Sequence, residues 1–171
     1  MTFVEGDNVS IMKYVQFLLL FSFFLLIVSC SEQADRYYGT FQEAQIAHAI
    51  EKGLLPKIIP PSAKEIFQTQ YIDIPGTRVR FIVDKNAIEE IRAGTKELNE
   101  KELTHREQNL GWFPKWWPKE LREININKLA DKNIIVLKYN YELEYGDGHK
   151  ENKVGLFFIY TKTGQGYYLN N

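Results

Sequence analysis

The residues of this chain that are suited to metal or acid–base chemistry are few and widely separated. Its three histidines, His48, His105 and His149, have no second histidine and no cysteine at metal-ligand spacing. His149 follows Asp147 in the stretch GDGH, which is typical of a turn. We therefore predict no metal site, and no stretch of the sequence calls for a cofactor.

Glu142 and Glu144 are spaced as a general acid–base pair would be, because alternate residues of a strand lie on the same face. Lys138 shares that face, and a solvated charged surface explains all three residues. The sequence also lacks the GxSxG, P-loop, GxGxxG and HExxH motifs. Nothing here favours an enzyme, although residues that meet only in the folded chain leave that class open.

The stretch GWFPKWWPKELR, residues 111–122, is the best candidate for a binding surface. It combines three tryptophans with Phe113, two prolines and three basic residues. Tryptophan is enriched at interface hot spots, and its flat ring suits stacking on a sugar or a place in the lipid headgroup layer. The candidate binding residues are Trp112, Lys115, Trp116, Trp117 and Lys119.

Core packing is the alternative role for the same stretch. Pro114 and Pro118 keep the chain extended, so its aromatic rings would plug the open end of a sheet. We expect this of at least two of the three tryptophans. Trp116 and Trp117 are adjacent and would point to opposite sides of an extended segment, so one of them is the better candidate for exposure.

A single cysteine, Cys30, stands just beyond the only long apolar run of the chain. The run extends from Tyr14 to Val28, with Lys13 before it and Ser29 after it. It is shorter than the roughly 20 residues that cross a bilayer, and its layout is that of a secretory signal. We therefore predict a signal peptide over residues 1–29.

The first eleven residues do not fit a positively charged leader, because they contain Glu5 and Asp7. Met12 followed by Lys13 makes a normal start without them. We expect translation to begin at Met12.

The residues Ile27-Val28-Ser29-Cys30 resemble the lipobox of bacterial lipoproteins, with isoleucine in place of the usual leucine. In that family the peptidase cuts before the cysteine, the thiol is diacylated, and the new amino terminus is often acylated as well. Two or more acyl chains hold a protein at a membrane, whereas one does so only marginally. The resemblance implies lipid attachment at Cys30; the alternative is a buried thiol in a transmembrane helix.

The residue after the cysteine bears on which membrane would hold the protein. Ser31 stands where an aspartate resembles an inner-membrane retention signal in diderm bacteria. The resemblance therefore implies an outer-membrane location if the source has two membranes.

A second resemblance lies in LLPKIIPPSAKEI, where leucine-proline and isoleucine-proline-proline precede Ser62 and Ala63. The pattern resembles an uncharacterised family of bacterial proteins, many of them lipoproteins, over about residues 48–83. An aromatic-proline segment and a C-terminal strand pair are also similar. The family has no activity to carry over, so the resemblance implies a fold and no site.

The charge balance argues against nucleic acid as a partner. Residues 1–29 contain Lys13, Glu5 and Asp7, so without them the 21 basic and 22 acidic residues of the chain become 20 and 20. Phosphate binding needs a clustered basic surface, which a net charge of zero does not indicate. The remaining chain of about 140 residues is the size of one domain. We predict a tether over residues 30–39 and one domain over residues 40–171.

Three helices are expected in the first half of this domain. Capping boxes at Thr40 (TFQE) and Ser62 (SAKE) predict one helix that ends at Gly53 and a short one that ends near Gln68. The first should bury one side, with residues Ile46, Ala47, Ile50 and Leu54. A third helix should begin after Asp84 and end at Gly94, with Ala87, Ile88 and Ile91 on its apolar face.

Strands are expected elsewhere. Residues 69–83 predict a hairpin around Pro75-Gly76, and residues 135–145 alternate apolar and polar side chains. The partner strand over residues 154–161 is apolar on both faces and should be central, with GYYL as a last strand. Residues 95–111 are charged and should be solvated. The fold class is therefore α+β: one domain with an antiparallel meander and helices on one face.

Three classes of function follow, and the sequence does not choose among their ligands or oligomeric states. The first is a membrane-anchored envelope protein that binds a protein partner or has a structural role. The second binds peptidoglycan or another glycan through the segment from Trp112 to Arg122. The third is an immunity-type inhibitor or a small hydrolase near the membrane.

Overall fold

The computed structural model describes residues 33–71, 76–102, 111–144 and 148–170. The predicted signal peptide, Cys30, His105 and the turn at Asp147 lie outside the described residues. Within the described part of the chain, no helix is both long enough and apolar enough to cross a membrane.

The described residues form a seven-stranded antiparallel sheet with three short helices, which confirms the α+β fold class. The strands are β1 (Gln33–Thr40), β2 (Lys64–Tyr71), β3 (Thr77–Ile82), β4 (Lys96–Glu97), β5 (Ile134–Glu144), β6 (Lys150–Tyr160) and β7 (Gln165–Asn170). The helices are α1 (Phe41–Ile46), α2 (Lys85–Ala93) and α3 (Ile126–Asp131). Two 3-10 turns lie at Glu100–Glu102 and Lys119–Leu121.

The strand order is β1-β2-β3-β7-β6-β5-β4. Two meanders, β1-β2-β3 and β5-β6-β7, therefore meet where β3 pairs with β7, and Val79 lies opposite Tyr168 there. The last strand in the chain is thus in the middle of the sheet.

Both faces of the sheet carry a hydrophobic core. Helices α1 and α2 cover one face, as predicted, over a cluster that includes Phe41, Ile66, Phe81, Ile91 and Phe157. The segment 111–122 and α3 contribute to a second cluster on the other face, which includes Trp117, Leu121, Leu129, Phe158 and Leu169. Two-sided burial explains why the central strand β6 is apolar on both faces, as predicted.

The capping box at the start of α1 is confirmed, but the predicted end of the helix at Gly53 is wrong. Glu43 N–H donates to Thr40 Oγ1 over 3.2 Å, and the Glu43 carboxylate accepts from Gly39 N–H over 2.8 Å. The helix ends at Ile46, and His48 adopts a left-handed φ of 55° in the turns that follow. Ile46, expected on the buried side, is 73% exposed.

The helix predicted over residues 62–68 is wrong, since Lys64–Tyr71 is strand β2. It pairs with β1 on one side and β3 on the other, with a register shift between Lys64 and Phe67 where Glu65 has a φ of 49°. Helix propensities differ by less than about 1 kcal/mol per residue. Pairing on both sides therefore decides this segment against its local helix signal.

The tether predicted over residues 30–39 is also corrected where the structure describes it. From Gln33 onward this segment is strand β1, which pairs with β2 in continuous register from Gln33 opposite Tyr71 to Tyr38 opposite Ile66. Its polar sequence is that of an edge strand, which has to bury few side chains.

Helix α2 is confirmed at both ends. The Asp84 carboxylate accepts from Ala87 N–H over 2.8 Å, and Gly94 is the C-cap. Ala87, Ile88 and Ile91 are buried as predicted. In the charged stretch that follows, Leu98 is buried beside the short strand β4, and residues 103–110 lie outside the described chain.

The C-terminal strands are confirmed as well. Towards the end of β5, more buried and more exposed side chains alternate as predicted. At its start, Val136 and the preceding Ile134 lie on the face that was expected to be solvated, but the second core covers that face and buries both residues. Gly155 and Gly166 give room for the rings of Tyr168 and Phe81, which a Cβ atom at either glycine would overlap.

Candidate binding surface

Trp117 is the centre of the second core. It is 2% exposed, and its ring lies edge-to-face against Phe158 and Tyr167, with centroid distances of 6.3 and 5.4 Å. Its Nε1–H donates to the carbonyl of Leu121 over 3.4 Å. Trp117 therefore has the packing role that was the alternative for this stretch.

Trp116 is the less buried member of the adjacent pair. Its Nε1–H donates to Thr69 Oγ1 over 2.9 Å, and its ring lies edge-to-face on Phe67 with a centroid distance of 5.4 Å. The Thr69 hydroxyl in turn donates to Asp35 over 2.6 Å. These two hydrogen bonds fix the indole against β2 and link it, through Thr69, to Asp35 on the edge strand β1.

Trp112 packs on the end of β2. Its ring contacts Tyr71 with a centroid distance of 3.8 Å, and the Arg78 guanidinium lies 4.8 Å from its ring centroid, a cation–π contact. Its buried Nε1 has no hydrogen-bond partner among the described residues. The ring is thus held mainly by its edge contact with Tyr71 and its cation–π contact with Arg78.

Arg78 joins the aromatic segment to the sheet and was not predicted as a buried residue. It is 0% exposed, and its side chain donates to the carbonyls of Trp112 over 3.3 Å and of Asn170 over 2.5 Å. Burial lowers the pKa of Arg78 to about 10, so it keeps its charge at neutral pH. Val79 and Phe81 alternate with Arg78 and Arg80, a pattern typical of a half-buried strand, but the segment 111–122 covers the polar face at Arg78.

A partly exposed aromatic surface remains beside the buried Trp117, and we call it the β1 platform: Tyr37, Phe67 and Trp116, with Asp35 and Arg80 at its rim. Tyr37 lies directly opposite Phe67 in the β1–β2 pair, so the two share a face, and Tyr37 is 60% exposed. Arg80 lies opposite Phe67 on the other side, with its guanidinium 5.6 Å from the ring centroid.

Tyr37 was not predicted as a binding residue, because its segment was expected to be a tether. The available signal was the pair Tyr37-Tyr38 next to a capping box. Tyr38 is buried under α1, whereas Tyr37 points to the opposite face.

The predicted binding residues do not form one surface. Lys115 is exposed next to Trp116, whereas Lys119 lines a separate groove of about 390 Å³ with Glu120, Glu123, Lys128 and Lys132 among its walls. In that groove Glu120 accepts from the Tyr160 hydroxyl over 2.9 Å, and burial together with this hydrogen bond raises the pKa of Tyr160. The groove is lined by both basic and acidic side chains, so its charge does not indicate whether a ligand would be an anion or a cation.

The two glutamates weighed for acid–base chemistry form surface ion pairs. Lys150 Nζ lies 2.7 Å from Glu142 and 3.8 Å from Glu144, and His48 lies 4.0 Å from Glu51. The described residues contain no group of three histidine, cysteine, aspartate or glutamate side chains placed to hold a metal ion.

Comparison with known proteins gives a match to a family model over part of the chain. Residues 32–82 match the family model described as the YbbD head domain. The match spans β1, α1, β2 and β3 and so includes Tyr37 and Phe67, and it overlaps the segment whose proline pattern resembles an uncharacterised bacterial family. No curated protein and no solved structure matches the chain.

Proposed function

We propose that the chain is a lipid-anchored protein of the bacterial cell envelope that acts by binding a partner at the β1 platform. The observation that carries the binding role is the exposure of Tyr37, 60% of whose side chain is open on a sheet edge beside Phe67 and Trp116. Large aromatic residues are enriched at interface hot spots, and Tyr37 is such a residue on a rigid support.

The surroundings of Tyr37 support the same role. Phe67 and Trp116 are half-buried and fixed by packing, so little side-chain entropy is lost when a ligand contacts them. Asp35 and Arg80 place charges of both signs at the rim, where polar groups of an interface usually lie. A binding surface of this kind needs no rearrangement of the fold.

The proposed location at the cell envelope is supported by the lipobox-like residues that end at Cys30. Only Ser31 and Glu32 separate this cysteine from β1, so a lipid on Cys30 would keep the platform close to the membrane, since each residue spans at most about 3.6 Å. In a diderm source, Ser31 favours the outer membrane.

Glycan binding is a second candidate, supported by the open ring of Tyr37 near the Asp35 carboxylate. A sugar face stacks on an aromatic ring, and a carboxylate accepts hydrogen bonds from hydroxyl groups. The aromatic residue would be Tyr37 and not Trp117, which is 2% exposed.

Replacing the cysteine tests the anchor. We expect Cys30→Ser to block normal cleavage of the leader, and any product that does lose the leader to appear in the soluble fraction, because the acylated thiol is then missing. Fractionation of cells and an immunoblot for the size of the product measure this. Retention of Cys30→Ser in the pellet with a normally processed leader would contradict the anchor.

Replacing the exposed ring tests the binding surface. We expect Tyr37→Ala to weaken binding of the full chain, in detergent, to envelope from its host by roughly tenfold or more, as truncation of a hot-spot aromatic does. Ile46→Ala is the matched control, since Ile46 is an exposed apolar residue on α1, away from the platform. Purified sacculi and membrane proteins are tested separately, and equal binding of Tyr37→Ala and wild type to both contradicts the proposal.

A further inference from the structure

We propose that strand β1 binds an extended segment of a partner protein as an additional antiparallel strand, with side chains of that segment seated on the β1 platform. The inference rests on the proposed function and names its partner class. Main-chain hydrogen bonds to the strand edge would supply affinity, and contacts with alternate side chains would supply specificity.

The edge of β1 has the geometry for strand addition. It is the first strand in the order of the sheet, and no described strand lies on its outer side. Alternate residues of an edge strand direct their N–H and C=O groups outwards. Its eight residues span about 27 Å, contain no proline, and keep continuous register with β2 from Gln33 to Tyr38.

The side chains of β1 define which segment fits. Asp35 and Tyr37 lie on the face of the platform, and Arg36 lies on the other face, since successive residues of a strand alternate. All three are exposed. Opposite charges and aromatic or apolar pairs stabilise directly opposed positions. An antiparallel partner should therefore read apolar, acidic, basic from its N-terminal side, opposite Tyr37, Arg36 and Asp35 in turn.

The same charges favour a different protein over a second copy. Two β1 strands related by a two-fold axis at Arg36 would oppose two arginines, and an axis at Asp35 would oppose two aspartates. An axis at Tyr37 would place Asp35 opposite Gly39, with no charge to pair. Among the described residues of β1, none of these three symmetric registers pairs opposite charges, which favours a heterologous strand as the partner.

Two peptides of identical composition test the inference on the full chain in detergent. The matched peptide is Thr-Val-Phe-Glu-Lys-Val-Thr, and the exchanged peptide is Thr-Val-Phe-Lys-Glu-Val-Thr, each labelled for fluorescence anisotropy. We expect wild type to bind the matched peptide about tenfold more tightly, since two cross-strand pairs change from opposite to like charge. Equal affinity for the two peptides, or binding of neither, overturns the inference.

A charge-exchanged variant gives the reciprocal result. Asp35→Arg combined with Arg36→Asp should prefer the exchanged peptide by a similar factor, with a circular dichroism spectrum like that of wild type. Unchanged preference in the folded variant contradicts the strand register. If the variant does not fold, hydrogen exchange on wild type decides: the matched peptide should protect amides of β1, and protection elsewhere alone overturns the inference.

Sedimentation velocity tests the alternative occupant of the β1 edge, which is a second copy of the chain. A dimer of wild type that excludes the matched peptide and protects the β1 amides from hydrogen exchange would assign the edge to a second copy and overturn the inference. The proposed function fails separately: if Tyr37→Ala loses envelope binding while neither peptide binds wild type, the platform binds a ligand that is not an added strand.

Discussion

Replacing Trp117 with alanine is expected to lower the free energy of unfolding by about 3–5 kcal/mol, the range for a large aromatic residue removed from a core. The ring is 2% exposed and contacts the rings of Phe113, Trp116, Phe158 and Tyr167. Trp117 is the largest fully buried residue of the second core, so its removal leaves a cavity that the neighbouring side chains fill only in part. Urea denaturation followed by far-ultraviolet circular dichroism measures the loss.

Lys115→Ala is the control from the same segment. Lys115 is exposed, and surface substitutions of this kind change stability by less than about 0.5 kcal/mol. Trp117→Phe should recover part of the loss, since it keeps a ring in the core. A Trp117→Ala variant with the stability of wild type would show that the segment 111–122 does not close this face of the sheet.

Replacing Gly164 with alanine is expected to destabilise the fold by about 3 kcal/mol or more. Gly164 has a φ of +73° in the turn between β6 and β7, and a Cβ atom there would overlap the carbonyl oxygen of Val83. The same glycine accepts a hydrogen bond from Val83 N–H over 2.9 Å. Left-handed strain and overpacking each cost roughly 1–3 kcal/mol, and the obstacle is backbone that cannot rotate away.

Gly148→Ala separates the two contributions. Gly148 also has a positive φ, of +82°, but a Cβ atom there would have none of the described residues within 4 Å. Its substitution should cost only the left-handed strain of about 1 kcal/mol. Thermal unfolding of both variants gives the comparison, and equal shifts in melting temperature would rule out the predicted overlap at Val83.

The sequence predicted elements whose signals are local and strong. Alternation located β5, the doubly apolar run located β6, and Asp84 with Gly94 bounded α2, because each pattern reflects a burial that the structure retains. Ser62 and Glu65 gave an equally clear helix signal that failed. A capping box contributes about 1 kcal/mol, and pairing of β2 with two neighbouring strands outweighs it.

The candidate site was predictable only in part. The aromatic segment was recognised, and the structure shows that Trp117 packs in the core while Trp116 stays half-exposed. Which of the two adjacent rings would be buried depends on the position of β2, which local sequence did not supply. Tyr37 and Arg78 were missed for the same reason, since their environments come from residues far away in the chain.

The position of β7 between β3 and β6 has a consequence for the order of events during synthesis and export. The β1-β2-β3 half gains its neighbour only from residues 165–170, so the two halves of the sheet cannot join until that strand has emerged from the ribosome or the translocon. Contacts between such distant residues form slowly, because a long loop must close first. If Cys30 is acylated as proposed, this modification can take place before β7 emerges, since Cys30 precedes β1. The sheet would then be completed with the chain already held at the membrane.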